Sequence, residues 1–277
     1  MPALFSPVSL GSNIAKGYSL SKALELVSSC GFEYVEIASI AGVCEHIAPG
    51  DINGDFIQSV KDMLASAGLK AYAFAGHVDL TDEKETDDFL KKIELAAGIG
   101  CRLINTNSGP VSRMAQFREN MIKVIEKAER CNIKVCLESH GDIIETAQQA
   151  ACVLREINHP LIRMNYDTGN TLYYAKGAIK LEEDILYASE FIEYIHLKDI
   201  RIDGDRVDYC PLGKGCVNFG KIFDSIKQFE RNIGCGLEIP VFITGDFNAL
   251  NSTAAPLGED DIRAAAAESM EFLKTVI

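Results

Sequence analysis

The chain has 277 residues, of which 47% are hydrophobic and 24% charged, and its formal net charge is −13. No apolar run reaches the roughly 18 residues needed to span a bilayer, and the acidic balance opposes binding to nucleic-acid phosphates or an anionic membrane surface. Nine cysteines without a CxxC pair suit a reducing compartment. The start of the sequence lacks the pattern of a secretory signal, so we expect a cytoplasmic protein.

Eight short apolar or β-branched runs alternate with segments of helical periodicity. The predicted strands lie near residues 8–13, 34–39, 70–78, 101–108, 134–140, 162–169, 194–199 and 234–240. Helical patterns between them include SLSKALELVSSCG, with Ser19 as N-cap and Gly31 at its end, and a last helix at roughly 259–276. The alternation predicts an α/β fold, a single (β/α)8 TIM barrel over residues 1–277. A doubly wound open parallel sheet is the alternative architecture.

One stretch interrupts the alternation after the seventh strand. The segment IRIDGDRVDYCPLGKGCVNFG contains several turn signals and predicts a long loop or small hairpin over the C-terminal mouth of the barrel. Within it, GCVNFGKI reproduces the Gly-x4-Gly-Lys part of a phosphate-binding loop. Ile222 occupies the position of the hydroxyl that would bind Mg²⁺, and no strand directly precedes Gly215, so nucleotide binding is not expected.

Four ionisable residues end consecutive predicted strands in the second half of the chain. Barrel enzymes place their chemistry at the C-terminal strand ends, and neighbouring strands lie only about 4.8 Å apart. Any one such residue alone is typical of an ordinary solvated strand end, but four at matching positions predict a shared cation, which removes the cost of burying each charge. Three carboxylates and one imidazole favour one divalent metal ion, with Mn²⁺ foremost and Mg²⁺, Co²⁺ or Zn²⁺ as alternatives. The residues are Glu138, Asp167, His196 and Glu238.

At these positions the sequence resembles the sugar isomerase/epimerase barrels related to xylose isomerase, which include ketose 3-epimerases, inosose dehydratases and hydroxypyruvate isomerases. The resemblance covers essentially the whole chain and is most specific at LESH, DTGN, HLKD and PLGKGCVNFGKIFDSIKQF…GLEIP. It implies that the same four residues bind a divalent metal, and that Glu138 and Glu238 are catalytic as proton acceptor and donor. It also implies a small carbohydrate substrate. Barrels of this family are often dimers or tetramers, so a homo-oligomer is an open alternative.

The reaction implied by the resemblance is isomerisation or epimerisation of a sugar or related polyhydroxy ketone, by proton transfer next to the carbonyl. Two positions depart from the pattern of ketose 3-epimerases. Asn170 stands where those enzymes usually have a histidine, and Ile202 stands where they usually have an arginine. A metal-dependent lyase, either an inosose-type dehydratase or an enzyme that cleaves a 3-keto C-glycoside, is therefore the alternative.

Further polar residues near the strand ends have two interpretations each. His140 shares a strand face with Glu138 and is predicted to be an additional catalytic base, or else a rim histidine bound to a loop. His77, Asn170 and Lys198 are predicted to bind substrate. The structural alternatives are a rim histidine without a substrate role for His77, helix capping for Asn170 and a salt bridge for Lys198.

Two further classes of protein compete with a sugar enzyme. A DNA-repair endonuclease of the related barrel group would use a three-zinc site with more histidines, which five histidines and a charge of −13 fit poorly. A non-catalytic binding subunit is the other alternative, and such a subunit would bind the metal without turning over a substrate.

Overall fold

A closed barrel of eight parallel strands forms the centre of the protein, in a computed structural model that describes residues 4–141, 143–252 and 255–277. Each strand pairs with the next around the barrel, and the first closes the ring by pairing with both the second and the last. The predicted TIM barrel and its eight strands are confirmed. The barrel strands are β1 (Phe5–Gly11), β2 (Tyr34–Ile40), β4 (Lys70–Ala75), β5 (Leu103–Thr106), β6 (Lys134–Glu138), β7 (Ile162–Asp167), β8 (Ile192–Leu197) and β11 (Ile233–Leu237).

Helices follow the barrel strands and pack their apolar faces on the outside of the barrel. Several begin at a side-chain cap: Ser19 accepts a hydrogen bond from the Lys22 amide, as predicted, and Thr146 forms a capping box with Gln149. The helices are α1 (Leu20–Ser29), α2 (Gly54–Ala67), α3 (Glu83–Gly98), α4 (Met114–Cys131), α5 (Ala147–Ile157), α6 (Thr168–Tyr174), α7 (Leu181–Asp184), α8 (Phe219–Ile226) and α9 (Glu259–Val276).

The barrel interior is filled in layers by inward-facing side chains. Near the N-terminal end of the strands, Tyr194 packs with Tyr72 and with the apolar residues Ala73, Leu103 and Cys136. Two glycines of β11 make room for these rings, because a Cβ at Gly234 would lie 2.5 Å from Tyr72 Cε1 and one at Gly236 would lie 2.6 Å from Tyr194 Oη. Bulky aromatic side chains therefore close the bottom of the barrel, and polar side chains occupy the layers above.

A small antiparallel sheet follows the ends of β8 and β11 on the C-terminal side of the barrel. Its strands are β9 (Asp199–Asp203), β10 (Arg206–Cys210), β12 (Ile243–Asp246) and β13 (Leu250–Ser252), in the spatial order β13-β12-β10-β9. The β9–β10 hairpin confirms the turn prediction for this segment, whereas its extension by two later strands was not predicted. A short strand β3 (Cys44–Glu45) pairs separately with β2.

Candidate metal centre

The four predicted ligands converge at the C-terminal ends of β6, β7, β8 and β11. One ligand atom from each side chain lies within 4.8 Å of all the others, so the group could hold a metal ion. Three of the side chains are at most 1% exposed, and that of Glu238, which follows β11, is 13% exposed. The group is therefore buried on the barrel side and reaches solvent through Glu238.

The His196 ring sits between the other three ligands and a fourth carboxylate. Its Nδ1 atom lies 2.9 Å from Glu238 Oε2, 3.0 Å from Glu138 Oε2 and 3.5 Å from Asp167 Oδ2. Its Nε2 atom lies 2.9 Å from Oε2 of Glu36 on β2. Burial disfavours the charged ring, but Glu36, Glu138 and Glu238 together raise the pKa of His196 well above its ordinary value.

The donor set fits a divalent cation. Among the described residues, no hydrogen-bond donor of good geometry reaches Asp167 Oδ2 or Glu238 Oε2, although both atoms are buried. Their charge is met by Lys198, whose Nζ lies 2.7 Å from each of these two oxygens. Lys198 supplies one positive charge against the three converging carboxylates, so a divalent cation would offset the remaining buried negative charge. Oxygen ligands of this kind suit Mn²⁺ or Mg²⁺.

Glu138 is held by donors on several sides. Its Oε2 lies 2.9 Å from His77 Nε2 and accepts a hydrogen bond from Asn165 at 2.7 Å, while its Oε1 accepts one from Asn170 at 3.0 Å. Burial opposes its ionisation, but the neighbouring rings of His77 and His196 outweigh that cost and hold the pKa of Glu138 well below its usual range. The carboxylate is therefore ionised and fixed in position.

Asp167 and Glu238 are positioned by their own local structure. Asp167 is also the N-cap of α6, since its Oδ1 accepts a hydrogen bond from the Asn170 amide at 2.8 Å. Burial raises the pKa of Asp167 above its ordinary value despite the nearby Lys198. Glu238 Oε1 accepts a hydrogen bond from Asn13 at 2.9 Å. Burial opposes its ionisation, yet Lys198 and His196 lower the pKa of Glu238 below its usual range.

A cavity of about 490 Å³ opens above the four ligands. All six residues predicted to be catalytic or substrate-binding line it, namely His77, Glu138, His140, Asn170, Lys198 and Glu238. His140 Nδ1 lies 3.3 Å from the Tyr174 hydroxyl, and the ring is accessible from the mouth. Asn170, which also receives a hydrogen bond from Tyr209, supports both Glu138 and Lys198.

Among the site residues that were not predicted, three have side chains that contact those of the candidate ligands. Glu36 contacts His196, Asn165 donates to Glu138 and Asn13 donates to Glu238. The sequence did contain a signal for Glu36, because an acidic residue inside the apolar run YVEIAS is costly to bury without partners. Asn13 and Asn165 carry no comparable signal, since a neutral amide near a strand end is compatible with many surroundings.

Comparison with known proteins assigns the family. The chain belongs to the xylose isomerase-like TIM barrel family, whose model matches residues 24–276. Similar solved structures include a D-allulose 3-epimerase from Methylomonas sp. in complex with D-allulose, at 18% identity and a TM-score of 0.72, covering 98% of this chain and 96% of that chain. A xylose isomerase-like TIM barrel protein from Mycobacterium smegmatis in complex with magnesium has 16% identity and a TM-score of 0.74, covering 98% and 96%. At these identities the likeness shows the fold.

A curated relative is similar over a shorter segment. The inosose dehydratase of Geobacillus kaustophilus (strain HTA426) is 28% identical over 107 residues, which are 33% of this chain and 34% of that protein. The match thus spans about a third of the relative's length. In the part of the chain that the structure describes, no helix is both long and apolar enough to cross a membrane.

Proposed function

We propose that the protein is a divalent-metal-dependent isomerase or epimerase of a sugar or related polyhydroxy ketone, acting by proton transfer next to the carbonyl. The observation that carries the proposal is the convergence of Glu138, Asp167, His196 and Glu238 beneath an open cavity. The family assignment and the structural likeness to ketose 3-epimerases support it. Mn²⁺ is the proposed ion, with Mg²⁺, Co²⁺ and Zn²⁺ as alternatives.

The proposed roles follow from the position of each side chain. The bound cation would stabilise negative charge on the substrate's carbonyl oxygen during enolisation. Glu138 and Glu238 come from strands separated by two others and both face the cavity, so one would take the carbon-bound proton and the other would return a proton. Lys198 adds a positive charge at the cavity wall, and His77 and Asn170 orient Glu138.

Proton exchange with solvent tests this proposal. The protein would be stripped of metal, reloaded with Mn²⁺ and incubated in D₂O with a panel of ketoses, inososes and 3-keto-glycosides. We expect metal-dependent deuterium incorporation next to the carbonyl of at least one compound, with recovery of an isomer. Exchange that is unaffected by metal removal, or no exchange across the panel, would contradict it.

A variant pair tests whether the exchange requires Glu238. Glu238→Gln removes a proton-accepting group and should lower the exchange rate by about 10²- to 10⁴-fold. Glu193→Gln is the matched control, because Glu193 lies on β8 three residues before His196 and pairs with Lys134 instead of facing the cavity. Wild-type activity in Glu238→Gln would rule out the proposed proton transfer by this residue.

A lyase is the second candidate, and His140 favours it. Its ring lines the cavity together with Glu138 and Tyr174, so it could assist departure of a leaving group. Asn170 and Ile202 replace two residues usual in ketose 3-epimerases, and Ile202 lies on β9 outside the residues that line the cavity. Loss of water or of an aglycone from the same panel, abolished by His140→Gln, would favour the lyase. Recovery of an intact isomer would favour the isomerase.

A further inference from the structure

The geometry points to Glu36 as a positioning residue of the metal centre, whose carboxylate holds the His196 ring so that Nδ1 faces the cation. The inference rests on the proposed function, because it assumes a divalent ion at the four ligands. It adds a residue from β2, a strand that contributes none of those ligands.

The contacts of the imidazole define which nitrogen is available. His196 Nε2 lies 3.0 Å from Glu36 Oε1 and 2.9 Å from Glu36 Oε2, so a proton on Nε2 would be shared between both carboxylate oxygens. The other nitrogen, Nδ1, faces Glu138, Asp167 and Glu238. In the neutral ring a proton on Nε2 leaves the Nδ1 lone pair free, and a carboxylate is a common partner for the second nitrogen of a metal-binding histidine.

Hydrogen bonds from neighbouring side chains hold the Glu36 carboxylate in place beside His196. The side chain is 3% exposed. Asn105 donates a hydrogen bond to its Oε1 at 2.6 Å, and Tyr194 donates one to its Oε2 at 3.3 Å. The Tyr194 hydroxyl is in turn 2.9 Å from Ser9 Oγ. Side chains from β1, β5 and β8 therefore fix one carboxylate, which is the arrangement expected of a group that sets the orientation of another.

The backbone of β11 leaves space for this arrangement. A Cβ atom at Gly236 would lie 2.6 Å from Glu36 Oε2 and 2.6 Å from Tyr194 Oη, closer than real Cβ contacts allow. Glycine at this position is thus required by the Glu36 carboxylate and its partner. The layer of side chains below the candidate ligands packs around Glu36. This carboxylate lies on the opposite side of the His196 imidazole from the other three carboxylates.

Metal affinity of two variants tests the inference. Glu36→Leu removes the acceptor of the Nε2 proton and should weaken Mn²⁺ binding by about 10- to 100-fold, measured by calorimetric titration of the metal-free protein. It should also change the visible spectrum of the Co²⁺-loaded protein. Glu36→Gln keeps one acceptor oxygen, so its affinity should fall between those of wild type and Glu36→Leu and its spectrum should approach that of wild type.

Asp184→Asn is the control for losing a buried carboxylate. Asp184 accepts hydrogen bonds from the Ala147 amide and the Tyr166 hydroxyl, so its loss should change stability without changing Mn²⁺ affinity or the Co²⁺ spectrum. If wild type binds no divalent metal, the proposed function fails. If wild type binds Mn²⁺ and Glu36→Gln matches it in affinity and spectrum, only the role of Glu36 is overturned. The Gln variant carries this test even if Glu36→Leu does not fold.

Discussion

Gly169 lies directly against Lys198, since a Cβ atom at position 169 would stand 2.7 Å from Lys198 Cγ. The missing side chain of the glycine in DTGN lets Lys198 run past the start of α6 and place its ammonium group between Asp167 and Glu238. A backbone position outside the ligand set thus determines where a positive charge stands in the site.

Gly169→Ala should therefore displace Lys198. We expect a loss of about 1–3 kcal/mol in the free energy of unfolding, because the added methyl group overpacks a buried region, together with lower turnover. Urea denaturation and the exchange assay measure the two effects. Gly220→Ala in α8 is the control, since its Cβ would meet nothing closer than 3.6 Å. It should be neutral or stabilising by up to about 1 kcal/mol, and equal effects of the two variants would refute the packing argument.

Divalent metal should stabilise the folded protein. The four ligands bring three carboxylates together, and a cation that binds only the folded state adds about 2.7 kcal/mol at a concentration 100 times its Kd. We expect Mn²⁺ to raise the melting temperature of chelator-treated protein, as followed by circular dichroism. Asp167→Asn should reduce this rise. A melting temperature that does not depend on Mn²⁺ would argue against a metal site.

The burial of Lys92 should make the free energy of unfolding depend on pH. This α3 lysine is 1% exposed, its Nζ donates to the carbonyl oxygens of Ser39 and Gly76, and burial lowers its pKa from 10.5 to about 8. Between these pH values the unfolded chain binds a proton that the folded chain does not, so this residue makes the free energy of unfolding rise with pH. The rise should be complete above pH 10.5 and absent below pH 8.

The Lys92→Met variant isolates that effect. The free energy of unfolding of wild type minus that of the variant should increase by up to about 3 kcal/mol from pH 8 to pH 10.5. Urea denaturation at several pH values measures it. A difference that stays flat or falls over this range would mean that Lys92 is not destabilised by burial.

Asp199 should stabilise the loop that follows β10. Its carboxylate accepts hydrogen bonds from the backbone amides of Ile200, Gly213, Gly215 and Val217. Asp199→Ala leaves these donors without their acceptor, so we expect a loss of about 3 kcal/mol in the free energy of unfolding and faster proteolysis after Lys214. Asp246→Ala is the control, because Asp246 binds two amides in a more exposed turn and should cost less. Equal losses would count against a special role for Asp199.

The sequence predicted the barrel and the convergence of the four candidate ligands because both depend on local patterns. Each ligand follows a short apolar run, and the period of a strand decides which side of the sheet it faces. The strands β12 and β13 were not predicted, since their apolar alternation is only three to four residues long and β12 pairs with β10, more than 30 residues earlier. Local periodicity contains no information about such a distant partner.

The immediate neighbours of each predicted residue were harder to derive. His77 was expected to face a sugar, and the structure places its Nε2 against Glu138, while its role toward substrate stays a prediction. The contact depends on the distance between the ends of β4 and β6, which the sequence does not encode locally. The neighbours of Lys198 could not be predicted for the same reason. Its predicted role toward substrate and its alternative salt bridge differ only in which groups its long side chain reaches, and the structure places its ammonium group beside Asp167 and Glu238.

Two strands of the small sheet above the barrel line the cavity without contributing a candidate ligand. Ile243 of β12 and Leu250 of β13 contribute apolar surface to the cavity wall, yet neither strand carries a ligand of the candidate ion. Changes in β12 and β13 would therefore alter which molecules enter the cavity while leaving the candidate ligands in place. An engineer could exchange the segment from β12 to β13 as a cassette to redirect the protein toward new compounds.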